Sequence, residues 1–186
     1  PDMGAYENER STRLPITWYV ATTGSNSNSG SANSPYLSIQ TAVDAASPGD
    51  TVFINSGNWN GATISINKTL KLIGDSTDKP IITNPNGEIL DLSGISSGDF
   101  TAKFLRFDGG SGSYDGILSA TGNYYSCEFY NNQRAINSLL DSVYIYNCIF
   151  TNNGVAVYGG YQDINQSIVN NCSFGFYGGT VNVNNS

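Results

Sequence analysis

One motif, Cys-x-Phe, recurs through the second half of the chain at intervals of a little over twenty residues. The intervals are 22, 21 and 24 residues when counted from Leu105, where Leu-x-Phe fits the same frame. Apolar and polar residues alternate within each unit, and no helical pattern separates one unit from the next. A period of this length with strand-like alternation is typical of a solenoid in which each repeat forms one coil. The sequence therefore predicts an all-β stack of coils.

The repeat also predicts which side chains face the inside of the stack. Coils that stack in register place equivalent side chains about 4.8 Å apart, so the motif positions form ladders. The cysteines are then small buried apolar residues rather than redox or metal-binding thiols. The two predicted inward ladders are Leu105, Cys127, Cys148 and Cys172, and beside them Phe107, Phe129, Phe150 and Phe174.

Two further features predict the rest of each coil. Shorter apolar segments lie between the motifs and predict a second strand in every coil: EILDLSG, GILSATG, RAINSLL and VAVYGGY. The pair Asn131-Asn132 recurs as Asn152-Asn153, where the chain is predicted to turn a corner. Stacked amides at such a corner can hydrogen-bond along the axis of the solenoid.

A single amphipathic helix is predicted ahead of the coils, over about residues 38–46. Apolar residues of SIQTAVDAA recur at i, i+3, i+4 and i+7, Ser38 is suited to cap the start, and Pro48-Gly49 ends the pattern. A solenoid exposes the edges of its first strands and the end of its core, and both promote aggregation when uncovered. We therefore expect this helix to cap the stack, with coils over about 50–186.

Residues 18–75 carry the segments WYV, TTGSNSNSGS, PGDTVFINSGNWN and LKLIGD on either side of that helix. This stretch resembles the start of right-handed parallel β-helix proteins of the pectate-lyase-like class, and the later NCxFxNN units resemble their coils more loosely. The resemblance implies an all-β fold, a right-handed parallel β-helix with a short N-terminal capping α-helix.

The opening residues DMGAYE resemble the closing DxGAYE motif of bacterial surface-anchored β-helix modules. This resemblance predicts that residues 1–16 are the end of a preceding module plus a linker, and that residues 17–186 form the β-helix domain. An alternative is that residues 1–16 pack against their own module as an extra strand. The tail TVNVNNS alternates like a strand in mid-coil, so we expect the solenoid to be truncated at the C-terminal end of this sequence.

Charge and composition narrow the range of functions. The chain has 8 basic and 15 acidic residues, a net charge of −7, and its basic residues are scattered, so nucleic acid is not an expected partner. No stretch approaches the roughly 20 apolar residues of a membrane span, and membrane insertion by this segment is not expected. There is no histidine, which removes the commonest transition-metal ligand and the commonest general base.

The resemblance to pectate lyases implies a specific chemistry that can be looked for in the chain. Such lyases need a base to take a proton from a uronate and a cation, often calcium, to neutralise its carboxylate. The candidate bases are Lys103, Arg106 and Arg134, and the candidate calcium ligands are Asp108 and Asp115.

Four of these residues also have a structural interpretation. Lys103 lies at the start of a predicted strand, where its side chain can extend its ammonium to water. In the predicted register Arg106 lies beside Glu128 of the next coil, so a cross-strand surface ion pair accounts for both. Asp108 and Asp115 flank the segment GGSGSY, where aspartate and glycine are typical turn residues. The Asp-Pro-His-Asp motif of related epimerases is absent. The sequence therefore favours no catalytic site and no cofactor, with calcium as the only metal that the resemblance suggests.

Aromatic residues suggest a binding role instead. Three tyrosines, Tyr124, Tyr130 and Tyr144, are predicted to point outward, where aromatic faces on a polar sheet can stack on sugar rings.

The sequence thus favours a non-catalytic extracellular or cell-surface module: an adhesin, stalk or filament building block. Its expected partners are adjacent modules of the same polypeptide, neighbouring subunits or a polysaccharide. The alternative is a polysaccharide lyase or related carbohydrate-active enzyme that acts on an acidic polysaccharide.

Overall fold

The computed structural model describes residues 13–95, 100–110, 112–119 and 121–184, with the side chains of 139–141 left aside. The described residues form a parallel β-helix of about six turns, in which every pair of neighbouring strands is parallel. This confirms the predicted all-β solenoid. Each turn contributes one strand to each of three faces, which we call sheets 1, 2 and 3.

The strands are numbered in chain order, and two of them, β13 and β15, bend from sheet 3 onto sheet 1. Sheet 1 contains β1 (Thr17–Val20), β2 (Thr51–Ile54), β5 (Lys71–Gly74), β8 (Thr101–Lys103), β11 (Gly122–Tyr125), residues 142–146 of β13 (Arg134–Tyr146), residues 161–165 of β15 (Val155–Asn165) and β18 (Thr180–Asn184).

The other two faces complete each turn. Sheet 2 contains β3 (Asn58–Asn60), β6 (Ile81–Thr83), β9 (Arg106–Asp108), β12 (Glu128–Tyr130), β14 (Ile149–Thr151) and β16 (Ile168–Asn170). Sheet 3 contains β4 (Ile64–Ser65), β7 (Leu90–Asp91), β10 (Ile117–Leu118), residues 134–138 of β13, residues 155–158 of β15 and β17 (Phe174–Tyr177). Four of these six strands, namely β7, β10 and the parts of β13 and β15 on sheet 3, lie in the four apolar segments that were predicted to form a second strand, and this prediction is confirmed.

The inward ladders are confirmed over three coils. Leu105, Cys127 and Cys148 are buried, and burial raises the pKa of the Cys127 thiol well above its ordinary value. Beside them the ring centroids of Phe107 and Phe129 are 5.2 Å apart, and those of Phe129 and Phe150 are 4.9 Å apart. The core is therefore a column of stacked side chains in which each coil packs on its neighbours.

The fourth member of each predicted ladder is wrong. Strand β14 pairs with β16 so that Phe150 lies beside Val169, while Phe174 pairs with Val155 on sheet 3 and is 58% exposed. The last coil is shorter than the others, so the Cys-x-Phe motif at 172–174 falls at the next corner instead of on sheet 2. There Cys172 is only partly buried, and Asn153 donates to its sulfur from 3.7 Å.

The predicted asparagine ladder is confirmed at the corner between sheets 2 and 3. Asn131, Asn152 and Asn171 each adopt a left-handed backbone conformation, with φ of 54°, 57° and 50°. Asparagine tolerates this conformation better than most residues, which explains its recurrence there. Along the axis, Asn132 Nδ2 donates to Asn153 Oδ1 at 3.0 Å, and Asn171 Nδ2 donates to Asn152 Oδ1 at 2.8 Å.

The predicted capping helix is also confirmed. Helix α1 spans Ile39–Ala45, and the Ser38 hydroxyl accepts a hydrogen bond from the Thr41 N–H at its start. Its apolar side packs on β1, β2 and β4, so it covers the N-terminal end of the core. At seven residues, this helix is too short to cross a membrane, and the described part of the chain holds no other candidate span.

The N-terminal segment is joined to the first coil through Asp50. The buried Asp50 carboxylate accepts two hydrogen bonds from the Arg13 guanidinium at 2.7 and 2.8 Å, and others from the Ile16 N–H, the Trp18 indole and the Ser47 N–H. The last residues of the segment predicted to be a linker therefore contact this module. The DMGAYE motif lies outside the described residues, and its assignment to a preceding module stays a prediction.

Candidate functional site

Sheet 1 carries a continuous row of outward side chains that runs along the axis of the β-helix. Within each strand of this sheet, inward and outward residues alternate, and parallel pairing aligns the outward residues of successive strands. The members are half-buried, apart from Tyr146, which is 44% exposed. We call this set the aromatic row: Tyr19, Phe53, Ile73, Lys103, Tyr125 and Tyr146.

Neighbours in the aromatic row contact one another. The rings of Tyr19 and Phe53 are 5.7 Å apart, those of Tyr125 and Tyr146 are 6.5 Å apart, and Lys103 Nζ lies 4.6 Å from the centre of the Tyr125 ring. These contacts are cross-strand pairs, and they hold each ring against its neighbour on the sheet. The result is an ordered strip of aromatic and aliphatic surface.

A second outward row lies beside the first on the same sheet. It is polar for most of its length and includes Tyr144, which is 45% exposed and packs 6.3 Å from Tyr161. Beyond Tyr144 the row continues with Asp163 on β15. The outward orientation predicted for Tyr144 is confirmed. The members of this second row from β1 to β13 are Thr17, Thr51, Lys71, Thr101, Asn123 and Tyr144.

The charge of this surface differs from that of the whole chain. From β1 to β13 the two rows hold Lys71 and Lys103 and no carboxylate, although the net charge of the protein is −7. Neither lysine forms a salt bridge with any described residue. This surface combines aromatic faces with hydroxyls, an amide and two ammonium groups. Such a combination can contact a polar polymer whose units are rings.

The predicted binding residue Tyr124 is not on this surface, and its predicted outward orientation is wrong. Tyr124 is fully buried, and its hydroxyl donates to the Thr121 carbonyl at 3.2 Å. Counting back from the inward Cys127 by strict alternation places Tyr124 outside, but Ser126 between them is left-handed, with φ of 52°. This residue turns the corner and shifts the alternation by one, so Tyr124 faces inward and Tyr125 faces outward.

Tyr130 and Arg106 lie on sheet 2, away from the aromatic row. The Arg106 guanidinium lies 4.0 Å from the centre of the Tyr130 ring and pairs with Asp108 at 3.0 Å. The predicted register of Arg106 beside Glu128 is confirmed, but the predicted ion pair between them is wrong. Glu128 pairs instead with Lys79 at 2.6 Å, because that lysine reaches the strand from the loop before β6.

Arg134 and Asp115 form a pair on sheet 3. Arg134 Nε donates to Asp115 Oδ1 at 2.7 Å, and Asn137 Nδ2 donates to Asp115 Oδ2 at 2.8 Å. Asp115 is buried, and each of its carboxylate oxygens accepts a hydrogen bond from the next coil, as buried polar groups generally do.

The structure therefore does not bring the candidate bases together. Lys103, Arg106 and Arg134 lie on sheets 1, 2 and 3 respectively, and two of them are paired with the candidate calcium ligands Asp108 and Asp115. Asp108 also accepts hydrogen bonds from the Asn131 side chain and the Gly110 N–H, and these donors and Arg106 lower the pKa of its carboxyl despite its partial burial. Within the described ranges, no three Asp, Glu or Cys side chains cluster as metal ligands.

Sequence reasoning missed most of the aromatic row, although a signal for it was present. Only Lys103 of its six members was among the candidate residues, and the other five were not singled out. The corners that reset the alternation are marked in part by asparagine, as at Asn147, whose φ is 54°. Counting outward positions from Asn147, instead of from the cysteines, selects Tyr146, whereas no asparagine marks the corner at Ser126 that follows Tyr125.

Comparisons with known proteins match part of the chain to one sequence family and align the chain with solved structures. Residues 22–89 match a family described as "Protein of unknown function (DUF1565)". No curated protein sequence matches the chain.

Two solved structures align with the chain. A rhamnogalacturonan lyase structure aligns with a TM-score of 0.46 at 13% identity, over 84% of this chain and 56% of that one. The pectin methylesterase from Aspergillus niger aligns with a TM-score of 0.48 at 17% identity, over 91% of this chain and 67% of that one. The chain thus spans little more than half the length of the first of these structures.

Proposed function

We propose that this parallel β-helix is a non-catalytic, extracellular module of a larger surface or secreted protein, and that it binds polysaccharide along the aromatic row of sheet 1. The observation that carries the proposal is the row itself, which presents ordered aromatic faces. Between β1 and β13, the aromatic row and the second row beside it hold no carboxylate among their twelve described members. Aromatic side chains supply large rigid contact area and stack on flat apolar faces such as those of sugar rings.

The dimensions of the row suit an extended chain. Its six members lie on successive strands, and strands in a sheet are about 4.8 Å apart, so the row is roughly 24 Å long. A polysaccharide that lies along the axis can contact several rings at once. Because every strand that carries the row is paired with a neighbouring strand, the rings are held in place before the ligand binds, which lowers the entropic cost of binding.

The row gives a direct test of glycan binding. Replacing both Tyr125 and Tyr146 with alanine is expected to weaken polysaccharide binding about tenfold or more, because each ring that stacks contributes on the order of 1 kcal/mol. Affinity electrophoresis against neutral and uronate-rich polysaccharides, followed by calorimetry on the best binder, measures the change. The matched control is Tyr158→Ala on sheet 3, where the ring is half-buried and stacks 5.5 Å from Tyr177. Equal loss in the control, or no binder in the panel, would contradict the proposal.

One observation makes the lyase alternative testable: Lys103, a candidate base, lies on the aromatic row, where the uronate of a bound polysaccharide would contact it. To take a proton, its side chain would have to react as the neutral amine. On our proposal, adding uronate polysaccharides with calcium yields no unsaturated product, measured as new ultraviolet absorbance. A lyase would instead give product that is abolished in Lys103→Ala. In that case Arg106→Ala and Arg134→Ala, on the other two sheets, would report only on stability. Product formation that depends on Lys103 would overturn the non-catalytic assignment.

A further inference from the structure

The first coil presents three strand edges at the capped end of the β-helix, and two of them are covered. On sheet 1, β2 is covered by β1, and β1 in turn bonds the loop that follows it: the Tyr19 N–H donates to Gly30 O at 2.8 Å and the Tyr36 N–H donates to Tyr19 O at 2.9 Å. On sheet 3, the Gln40 side chain takes the place of a neighbouring strand for β4. Its amide accepts from the Ser65 N–H at 2.9 Å and donates to the Ser65 carbonyl at 3.2 Å.

The third edge, that of β3 on sheet 2, is not covered by any residue that the structure describes. The odd-numbered residues in and around β3 bond β6, since Gly57 O accepts from the Ile81 N–H at 2.9 Å and the Gly61 N–H donates to Thr83 O at 3.2 Å. Backbone groups of successive residues in a strand point to opposite sides. The N–H and C=O groups of Asn58 and Asn60 therefore point away from β6, and no described residue forms a hydrogen bond with them.

A cleft of about 490 Å³ adjoins this open edge. It lies between β3, the turn that leads to β4, and the residues at the start of helix α1. Its lining combines apolar side chains with hydroxyls and amides and contains no charged residue. One wall is formed by Leu37, which is 45% exposed. The apolar residues of the lining are Leu37, Ile39, Trp59, Ala62, Ile64 and Ile82.

We propose that the edge of β3 and this cleft bind an extended, uncharged peptide segment of a partner protein as an added strand of sheet 2. An unpaired strand edge is a template for another strand, whose backbone supplies the missing donors and acceptors. Side chains on one face of the added strand enter the cleft, and its apolar, uncharged lining selects a segment without Asp, Glu, Lys or Arg. This site is separate from the aromatic row and does not depend on the proposed glycan binding.

The test uses a capped peptide of sequence Pro-Ile-Ile-Thr-Asn, which is the sequence of residues 80–84 that pairs with β3 on its other side. Titration into the ¹⁵N-labelled protein is expected to shift the amide signals of Asn58 and Asn60. The variant Asn60→Pro removes the outward N–H and no bond to β6, and proline is tolerated at strand edges. This variant is expected to lower the affinity for the peptide about fivefold or more, because one backbone hydrogen bond to the peptide is lost.

Two controls separate backbone recognition from other effects. Asn60→Ala changes only the side chain and is expected to leave affinity within about twofold. The same peptide with N-methylated backbone is expected not to bind the unaltered protein, which tests the proposal even if Asn60→Pro fails to fold. No shift at millimolar peptide, shifts elsewhere, or binding of the N-methylated form would overturn the proposal. Shifts of Asn58 and Asn60 with protein concentration alone would also overturn it, because a second copy would then occupy the edge.

Discussion

Replacing Phe129 with alanine is expected to lower the free energy of unfolding by about 3–5 kcal/mol. Phe129 is fully buried between Phe107 and Phe150, and its ring is nearly parallel to that of Phe150, at 6°. The alanine variant leaves a cavity inside a column whose coils are fixed by hydrogen bonds on all three sheets, so the site cannot collapse to fill it. Urea unfolding followed by circular dichroism measures the loss.

The matched control for this variant is Thr151→Ala. Thr151 lies on the adjacent strand of sheet 2 but faces outward, so its loss is expected to stay within about 0.5 kcal/mol. If the two variants unfold at the same urea concentration, the stacked phenylalanines are not the main source of stability in this part of the solenoid.

The ladder of Phe107, Phe129 and Phe150 could be predicted from sequence because one buried position recurs at nearly constant spacing. Strand alternation and a regular period were sufficient there. The same reasoning failed at Phe174, because the last coil is shorter and the motif moved to a corner. A solenoid can change coil length at a turn without breaking the pairing of its sheets, so a period measured on two coils does not fix the third.

The aromatic row was harder to predict for a related physical reason. Alternation holds within a strand but is reset at each corner, where one residue adopts a left-handed conformation. Where that residue is Asn147 the sequence marks the corner, but at Phe104 and Ser126 it does not, although their φ values are 55° and 52°. Tyr124 and Tyr125 therefore exchange roles, and a prediction made from composition and period alone selected the wrong tyrosine.

The ion pairs illustrate a further limit of sequence reasoning. The register that places Arg106 beside Glu128 follows from the repeat, but side chains of this length can reach several partners. Lys79 pairs with Glu128 from a loop, while Arg106 pairs with Asp108 and packs on the ring of Tyr130. Where the period is regular, as it is here, it predicts which backbone positions lie side by side, whereas the partner of a long charged side chain depends on the loops around it.

A second large effect is expected at Asp50, where Asp50→Ala should lower the free energy of unfolding by about 3 kcal/mol at neutral pH. The buried carboxylate accepts from the Ile16 and Ser47 N–H groups, the Trp18 indole and the Arg13 guanidinium, and alanine removes the acceptor of all these donors at once. The exposed Asp78, which bonds no described side chain, provides the control Asp78→Ala, expected within about 0.5 kcal/mol. Equal losses in the two variants would show that the carboxylate does not join the N-terminal segment to the first coil.

The pH dependence of the same residue gives a sharper test. The Arg13 guanidinium, together with the other donors, holds the pKa of the Asp50 carboxyl well below its usual range. Between that lowered value and the ordinary value of about 3.9, the unfolded chain binds a proton that the folded chain does not, so acid favours unfolding. The contribution of the charge is therefore complete above about pH 5 and is lost progressively as the pH falls. In Asp50→Asn this contribution is absent at every pH. The difference in unfolding free energy between the unaltered protein and Asp50→Asn is therefore expected to narrow steadily from about pH 5 to pH 3, and a constant difference would show that Asp50 keeps an ordinary pKa in the folded protein.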